Sequence, residues 1–393
     1  MQYFGYGTPD LLVGGYGQIW FVAQEGTEAG REYEEAEALA QLRRGSRAVR
    51  YGCYLLQKDL IRVGRVEMMQ MRIDCEEGSG IPMSMSGEMR MEEAMGLDFA
   101  AIKLQPVMAV QMADGGFYEW ALGVFLPITP RPRYTGTGGH YELSCYDMTM
   151  MLRDDRLLST LAIPAGTPYM EAITTLIMQA GIKFIIADRT DAQLPQEIQF
   201  EIGTARLDAA NTLLRAINYE PVWADERGYI QLRAQVGPYS RAVKHRYLDD
   251  EMSVLAAEMG EDMDSYEVPN IIIGVVSRPE GAPLRAEWRN EDPGSALSIE
   301  RRGRKVVRVD TLDDILDEAA LDAYVRAEGY KTLARNGRVS FSTLNMPGHG
   351  VRDMIYLANS RAGIGGRYME TGWTMELRAG GIMSHTAQRV VIV

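Results

Sequence analysis

Apolar and polar residues alternate with a period of two along much of the chain, as they do in half-buried β-strands. The alternation is clear at Met69–Cys75, Met83–Met91 and Arg338–Leu344. Asp114–Gly115 separates two further apolar segments and is a dipeptide favoured at the tip of a β-hairpin. Gly136–Gly139 predicts another hairpin turn. Strands this frequent, joined by short turns, predict a barrel or sandwich rather than a parallel α/β sheet.

The longest helical pattern lies near the C-terminus. Apolar residues recur at three- and four-residue steps from Leu312 to Leu333. Thr311 can cap the start of this helix, and the acidic first turn suits the helix dipole. Asn336–Gly337 is a typical helix stop, so we predict a helix over residues 312–335.

The middle of the chain predicts a compact α+β module at 155–236. Thr167–Pro168 marks the start of a helix and Gly181 marks its end, with Ile173, Leu176, Ile177 and Ala180 on one face. Another helix is predicted to begin at Thr204, and Asp225–Gly228 is a hairpin turn between two apolar segments.

These patterns predict an α+β, mainly β protein with four segments. The segments are a Gly/Tyr-rich arm with a short helix at 1–45, a first β-barrel at 46–154, the α+β module at 155–236, and a second β-barrel at 237–393 that includes the helix 312–335.

Charge and cysteine content limit the classes of partner. The chain has 41 Lys and Arg against 54 Asp and Glu, a net charge of -13, so we expect no wholesale binding of nucleic acid. Cys53, Cys75 and Cys145 are odd in number and widely spaced, which does not fit a disulfide framework or a metal knuckle. The N-terminus lacks the pattern of a signal peptide, and no apolar window of about 18 residues predicts a membrane span.

The histidines do not form a recognisable site in the sequence. His140, His245, His349 and His385 lie beside Gly, Arg or Ser, and none has a partner at metal-ligand spacing. We therefore expect solvated histidines, and no metal or cofactor.

Other chemical signals are equally weak. Cys53 and Cys145 lie in predicted strands, whereas the nucleophile of a cell-wall cysteine peptidase opens a helix. The acidic clusters Asp249–Glu251 and Glu258–Asp264 could bind Ca²⁺, but they lack EF-hand spacing, and a solvated acidic loop is the favoured interpretation. Gly363–Arg367 is interpreted as a turn between strands rather than a phosphate loop.

A series of stretches, taken in order along the chain, resembles one protein family. The stretches are Glu142–Asp147 with Leu152–Asp155, the Pro-Asn strand Val268–Ile273, the long helix, Val339–Phe341, Pro347, Asp353–Ile355, and Gly366–Tyr368 with Trp373. Their order resembles the hub proteins of phage-tail baseplates: the contractile-tail hub, the late-control-protein-D group, and the N-terminal hub part of siphophage tail-associated proteins. The resemblance covers roughly residues 50–393, and the Gly/Tyr-rich first 45 residues depart from it.

The resemblance implies a structural hub rather than an enzyme, since no lysozyme, peptidase or fibre domain follows within the 393 residues. Its two β-barrels would be tube domains, and three copies would form a ring of pseudo-sixfold symmetry. The implied partners are other copies of the chain, a distal tail or tail tube protein, a spike or central fibre protein, and the tape-measure protein, with DNA only in passing. The implied location is the virion tail tip or baseplate, after synthesis in the host cytoplasm.

Two other functions stay open at this point. A tail-associated peptidoglycan hydrolase would need a nucleophile or paired carboxylates in one cleft. A carbohydrate-binding receptor module would be favoured if the aromatics near Trp20 and Trp120 were exposed.

Two expectations concern the assembled ring. The basic run is predicted to face an acidic neighbouring subunit; it comprises Arg301, Arg302, Arg304, Lys305 and Arg308. A channel that passes DNA should be acidic or neutral. We therefore expect the polar residues that alternate with methionine along the strands to face the channel or solvent, namely Gln70, Asp74, Ser84 and Glu88. The methionines are expected to pack inside, namely Met69, Met71, Met83 and Met85.

Overall fold

The computed structural model describes residues 33–390 apart from 45–46, 137, 238–239, 251–253, 263–266, 277–282, 294, 296, 313–317 and 336. The predicted Gly/Tyr-rich arm, Trp20 and the helix stop at Asn336 lie outside the described residues. Strands account for 44% and helices for 17%, which confirms an α+β, mainly β fold. No helix in the described ranges combines the length and the apolar character that crossing a membrane requires.

The chain folds into two compact units, each built from separate stretches of sequence. Unit 1 comprises the described residues up to Val236 together with Leu344–Val351 and Trp373–Met383. Unit 2 comprises Gly237–Thr343, Arg352–Gly372 and the described residues from Ser384. The four-segment domain boundaries stay a prediction.

Unit 1 begins with a short helix and an antiparallel β-sheet. These elements are α1 (Glu35–Leu42), β1 (Val49–Leu56), β2 (Arg62–Val66), β3 (Met68–Glu76), β4 (Met83–Arg90), α2 (Met91–Ala94), β5 (Lys103–Gln111), β6 (Phe117–Ala121), β7 (Phe125–Pro127), β8 (Arg131–Thr135) and β9 (Gly138–Asp147). Strand β4 pairs with β3 and β9, β9 with β7 and β8, and β5 with β1, β6 and β7.

Neither predicted barrel is closed, since no sheet among the described residues returns to its own first strand. In unit 1, closure would require pairing between β2 and β3. These strands are consecutive in sequence, but β2 pairs with β1 and β3 pairs with β4.

The methionine-rich hairpin β3–β4 packs largely as predicted. Met71, Met83 and Met85 are buried, whereas Met69 is 51% exposed, so the prediction that it packs inside is wrong. The register between β3 and β4 shifts between Met68 and Gln70. A bulge at that point interrupts the strict two-residue period on which the prediction depended.

The hairpin between β5 and β6 confirms the prediction at Asp114–Gly115, because Gln111 pairs with Phe117 across it. Gly115 has a φ of 90° and open space around the position that a Cβ would occupy. The hairpin predicted at Gly136–Gly139 forms between β8 and β9, but Gly138 and Gly139 are not its tip, because both belong to β9 and pair with Thr135 and Tyr134.

We expect Gly115→Val to lower the free energy of unfolding by about 1–2 kcal/mol, because a β-branched residue disfavours positive φ. Gly136→Val is the matched control. It lies in the next hairpin turn, has open space around it, and does not have the same backbone conformation. Equilibrium denaturation of both variants checks the prediction, and equal stability of Gly115→Val and wild type would contradict it.

The rest of unit 1 up to Val236 combines helices with short strands. Its elements are α3 (Met150–Asp154), β10 (Leu161–Ile163), α4 (Tyr169–Gln179), β11 (Ile185–Ala187), β12 (Ile198–Phe200), α5 (Arg206–Ala216), β13 (Trp223–Ala224) and β14 (Ile230–Leu232). The predicted apolar face of α4 is confirmed, since Ile173, Leu176 and Ile177 lie in one buried cluster with Leu213 and Leu214 of α5.

Unit 2 contains the remaining elements. They are β15 (His245–Leu248), β16 (Leu255–Asp262), β17 (Ile271–Val276), β18 (Leu284–Arg289), α6 (Ile299–Arg302), β19 (Val307–Leu312), α7 (Glu318–Arg335), β20 (Arg338–Leu344), β21 (Met354–Asn359), β22 (Ile364–Glu376) and β23 (Ile382–Arg389), although β20, β22 and β23 also extend into unit 1. Strand β16 pairs with β20, and β21 pairs with β15 and β22.

A second, three-stranded sheet in unit 2 has the order β18–β17–β19 and packs against α7. The predicted helix therefore begins later than expected, because Leu312 is the last residue of β19 and pairs with Val276. Thr311 also lies in β19, so its predicted role as N-cap is wrong. The β-branched residues at 306, 307, 309 and 311 favour a strand here.

Gly329 of α7 lies against the indole ring of Trp288 on β18, and an added Cβ would approach that ring to 2.1 Å. Helix propensity alone predicts that Gly→Ala stabilises by about 1 kcal/mol. We expect Gly329→Ala instead to destabilise by about 1–3 kcal/mol, because the added methyl overpacks the contact. Denaturant unfolding decides the sign, and a gain in stability would contradict the packing argument. Ala327 lies on an exposed face of the same helix, so Ala327→Gly is the control that measures helix propensity without the packing contact.

Gly363–Arg367 is not a turn throughout, because β22 begins at Ile364. The apolar residues of Arg389–Val393 predict a last strand, but this segment lies mostly outside the described residues, and β23 ends at Arg389. The polar segment at 278–294, rich in Pro and Gly, predicts a long loop, but it contains β18. The alternating charges of β18 at Arg285, Glu287 and Arg289 concealed that strand.

Candidate assembly surface

The predicted interface residues lie on a short helix and on the segment that leads into β19. Ser298 caps α6 by accepting a hydrogen bond from the Arg301 N–H at 3.3 Å. Gly303 then ends the helix with a φ of 61°, a left-handed conformation that glycine adopts readily. This turn carries the chain directly into the basic segment before β19.

Buried Asn270 fixes the basic segment from the side of β17. Its amide nitrogen donates to the Arg304 carbonyl at 2.9 Å, and its carbonyl oxygen accepts from the Val306 N–H at 2.8 Å. The side chain is fully buried, so these bonds form where an unsatisfied amide would be costly. The Pro-Asn pair was noticed in the sequence as a strand feature, but not as the anchor of the basic segment.

The five basic residues fall into two groups. Arg302 donates to the Val268 carbonyl at 2.6 Å, and burial lowers the pKa of its guanidinium. Arg308 lies 2.7 Å from Asp310 and 2.8 Å from Glu328, and the hydrogen bond with Asp310 raises its pKa. Arg301, Arg304 and Lys305 are exposed at the surface. Their role at a subunit interface stays a prediction.

The sheet beside this segment has two different faces. On the helix side, Ile272 and Val276 pack with Leu321 and Val325 of α7. Gly274 has no room for a Cβ there, since one would lie 2.8 Å from Leu321 and Val325. On β19, Val307 is 50% and Val309 is 58% exposed. The sheet therefore presents an apolar strand, β19, to solvent next to the basic segment.

Unit 2 also contains a buried polar chain that the sequence did not reveal. His385 Nδ1 lies 2.6 Å from Glu370 Oε1, and His385 Nε2 lies 2.8 Å from Thr343 Oγ1. The imidazole stacks on Phe341 with ring centroids 4.5 Å apart. With a neutral ring, Nδ1–H donates to the carboxylate and Nε2 accepts from the hydroxyl.

A hydroxyl, an imidazole and a carboxylate in this order could in principle activate the hydroxyl as a nucleophile. Thr343, however, is only 1% exposed, and His385 is 2% exposed. An open depression beside them is lined by Phe341, His385 and serines of β20 and β23, whereas Thr343 does not line it. The arrangement suits a structural bond network better than catalysis.

The expectation of solvated histidines is wrong for three of the four. His245 and His385 lie in strands β15 and β23, and His245, His349 and His385 are all buried. A histidine beside Ser or Arg in sequence gave no sign that its strand faced inward. The ring nitrogens of His385 bond to Glu370 and Thr343, which are distant in sequence, and local context does not show them.

The cysteines match the sequence prediction. Cys53, Cys75 and Cys145 lie in strands β1, β3 and β9, and all three are buried as free thiols. Burial raises the pKa of Cys53 to about 12 and also raises the pKa of Cys145. A nucleophilic cysteine needs the opposite environment, one that lowers its pKa.

Comparison with known proteins gives a consistent result at the level of fold. No family model and no curated protein matches the sequence. A tail protein from Neisseria meningitidis MC58 superposes with a TM-score of 0.61 over 86% of this chain and 97% of that chain, at 12% identity. The chain has the fold of phage tail proteins.

Other solved structures share the tail-protein fold. The 43 kDa tail protein of prophage MuSo2 from Shewanella oneidensis gives a TM-score of 0.59 over 86% of this chain and 98% of that chain, at 10% identity. A chain of the half-lidded Francisella PdpA–VgrG complex gives 0.54 over 88% of this chain and 58% of that chain, at 5% identity. The hub-like fold predicted from the order of the sequence motifs is thereby confirmed.

Proposed function

We propose that the chain is a structural tail hub, in which three copies form a ring of pseudo-sixfold symmetry. The observation that carries this proposal is the extent of the fold likeness, which covers 97–98% of two tail proteins rather than one common module. Each copy has two units that contain β-sheets, so three copies supply six such units. That number suits a connection between a sixfold tube and a threefold spike or fibre.

In this proposal the ring joins the tail tube to the spike or central fibre at the tail tip or baseplate. Its neighbours are a distal tail or tail tube protein, the spike or central fibre protein and the tape-measure protein, and the chain is made in the host cytoplasm. DNA only passes through. The net charge of -13 supports this last point, because an acidic surface does not retain phosphate.

The basic segment is proposed to meet an acidic neighbouring subunit. Arg301, Arg304 and Lys305 would contact that neighbour directly. Arg302 and Arg308 would hold the segment against its own chain through the bonds to Val268 and Asp310 described above.

Two observations support a non-enzymatic role. Cys53 and Cys145 are buried with raised pKa values, and the hydroxyl beside His385 is buried as well. A carbohydrate-binding role is not favoured, because Trp120 is buried and its indole N–H donates to Glu35 at 3.2 Å.

Electron cryomicroscopy of tail particles that contain the chain tests the proposal. We expect three copies at one end of the tail tube, related by a threefold axis, around a channel without a lining of exposed lysines and arginines. Six copies repeated along the tube, a single copy away from the axis, or a channel lined by arginines would each contradict the proposed function.

A further inference from the structure

Strand β19 is an edge strand without the usual protection against pairing. Among the described strands it pairs only with β17, in an uninterrupted parallel register from Ile271–Val307 to Val276–Leu312. It contains no proline and no bulge, and Val307, Val309 and Thr311 are exposed along one face. Long, regular and apolar edges of this kind are ready templates for another strand.

The backbone of β19 is oriented for such pairing. The Ile271 N–H donates to the Val306 carbonyl at 3.1 Å, so the backbone groups of residue 306 point towards β17. Because successive residues of a strand bond to opposite sides, Val307 and Val309 direct their backbone groups to the outer edge.

Two other edge strands carry such protection. Strand β18, at the opposite edge of the same sheet, has exposed charges at Arg285 and Arg289. Strand β2 has a register shift opposite Leu55 and Leu56. Charges and bulges are devices that discourage edge pairing. On β19 the two charged residues, Arg308 and Asp310, are half-buried, and Arg308 also binds Glu328 of α7, so the exposed face of β19 carries no charge.

The charge around β19 indicates the kind of strand that would pair with it. Arg304 and Lys305 are exposed immediately before the strand. Residues 249–264 of the same sequence contain seven carboxylates and no lysine or arginine. This acidic segment includes β16, which pairs only with β20 among the described strands. The register of β16 shifts between Leu255 and Met259 and is regular from Met259 to Asp262, so this last part is the edge that can accept a strand.

We propose that β19 pairs edge to edge with β16 of a second copy of this chain. The proposal rests on the proposed ring and names the contact that closes it. Because β19 and β16 are different surfaces, the contact is heterologous and repeats head to tail until the ring closes. The basic residues before β19 would then lie near the acidic segment of the neighbouring copy.

Cysteine cross-linking of the full-length chain tests this contact. The three native cysteines are buried, and Val309 and Gly260 are exposed, with open space around Gly260. Mild oxidation of the double variant Val309→Cys/Gly260→Cys should give covalent species up to the trimer. A mixture of the two single variants should give dimers, and each single variant alone should give none. Absence of cross-links in the double variant, or dimers of Val309→Cys alone, would overturn the proposal.

Sedimentation velocity separates this contact from the ring itself. Val309→Asp should weaken self-association at least about tenfold, whereas Val309→Thr and the exposed control Ile202→Asp should not. A wild-type trimer that survives Val309→Asp would overturn the β19–β16 contact and leave the proposed trimer intact. A wild-type chain that stays monomeric, together with a double cysteine variant that does not cross-link, would also overturn the contact, and imaging of tail particles would still test the hub function separately.

Discussion

His385→Ala is expected to lower the free energy of unfolding by about 3–5 kcal/mol, the effect of removing one member of a buried ionisable pair. Glu370 is 1% exposed and loses a partner at 2.6 Å. Thr343 loses its partner at 2.8 Å, and Phe341 loses the ring stacked on it. Equilibrium urea unfolding at neutral pH is the measurement.

Two further variants separate the contributions to this effect. Glu370→Gln keeps an oxygen that can accept from Nδ1–H and removes the charge, so it should cost less than His385→Ala. Thr343→Val removes one hydrogen bond while keeping the shape, and should cost about 1 kcal/mol. A loss below about 1 kcal/mol for His385→Ala would show that the pair contributes little to stability.

The protonated Asp225 carboxyl is expected to stabilise the folded protein at acidic pH, and this contribution is lost as the pH rises. Asp225→Asn is expected to reduce that loss. Burial raises the pKa of Asp225 from 3.8 to about 6. The folded state therefore binds this proton more tightly than the unfolded state, and stability falls with rising pH between these two values. A shift of about two units corresponds to about 3 kcal/mol, and the loss is complete above the folded pKa.

The substitution keeps the bonds of Asp225 Oδ1, which accepts from the Arg227 and Tyr229 N–H groups, because an asparagine oxygen can do the same. It removes the bond that Oδ2 accepts from Gln231 Nε2 at 2.7 Å, because an asparagine NH₂ only donates. That loss is the same at every pH, so the change in stability between two pH values is what is compared. Urea unfolding at about pH 4.5 and about pH 7.5 checks the prediction. Asp147, whose pKa burial also raises to about 6, should leave a residual fall in the variant. Asp59→Asn is the control. Lys183 lowers the pKa of the native Asp59 carboxylate, so this group does not cause the fall in stability with rising pH, and the fall should persist in the variant. A full fall in Asp225→Asn would contradict the assignment.

The elements that the sequence predicted well are those whose signals are local. The buried face of α4, the turn at Asp114–Gly115 and the alternation of β20 each depend on periodicity or turn chemistry within a few residues. Helix α7 was predicted with its correct C-terminal end but an early start, because apolar Leu312 fits either period. A single apolar residue at the junction of two elements does not determine which element it joins.

The features that the sequence missed depend on distant partners. Strand β18 has charged residues at alternate positions and becomes a strand through its pairing with β17. His385 meets Glu370 and Thr343 across 15 and 42 residues. The basic segment was found from charge alone, but which arginines turn inward depends on Val268 and Glu328. Long-range pairing of this kind overrides local propensity.

The division of both units into separate stretches of sequence affects how the protein can be made on a ribosome. Unit 1 includes Leu344–Val351 and Trp373–Met383 in addition to its N-terminal part. Its last residues are thus translated only near the end of the chain, after most of unit 2. A nascent chain stopped at Val236 would contain most of unit 1 and lack strand residues from β22 and β23. Completion of unit 1 is therefore tied to completion of the polypeptide, and a prematurely terminated product would lack part of the first unit as well as the second.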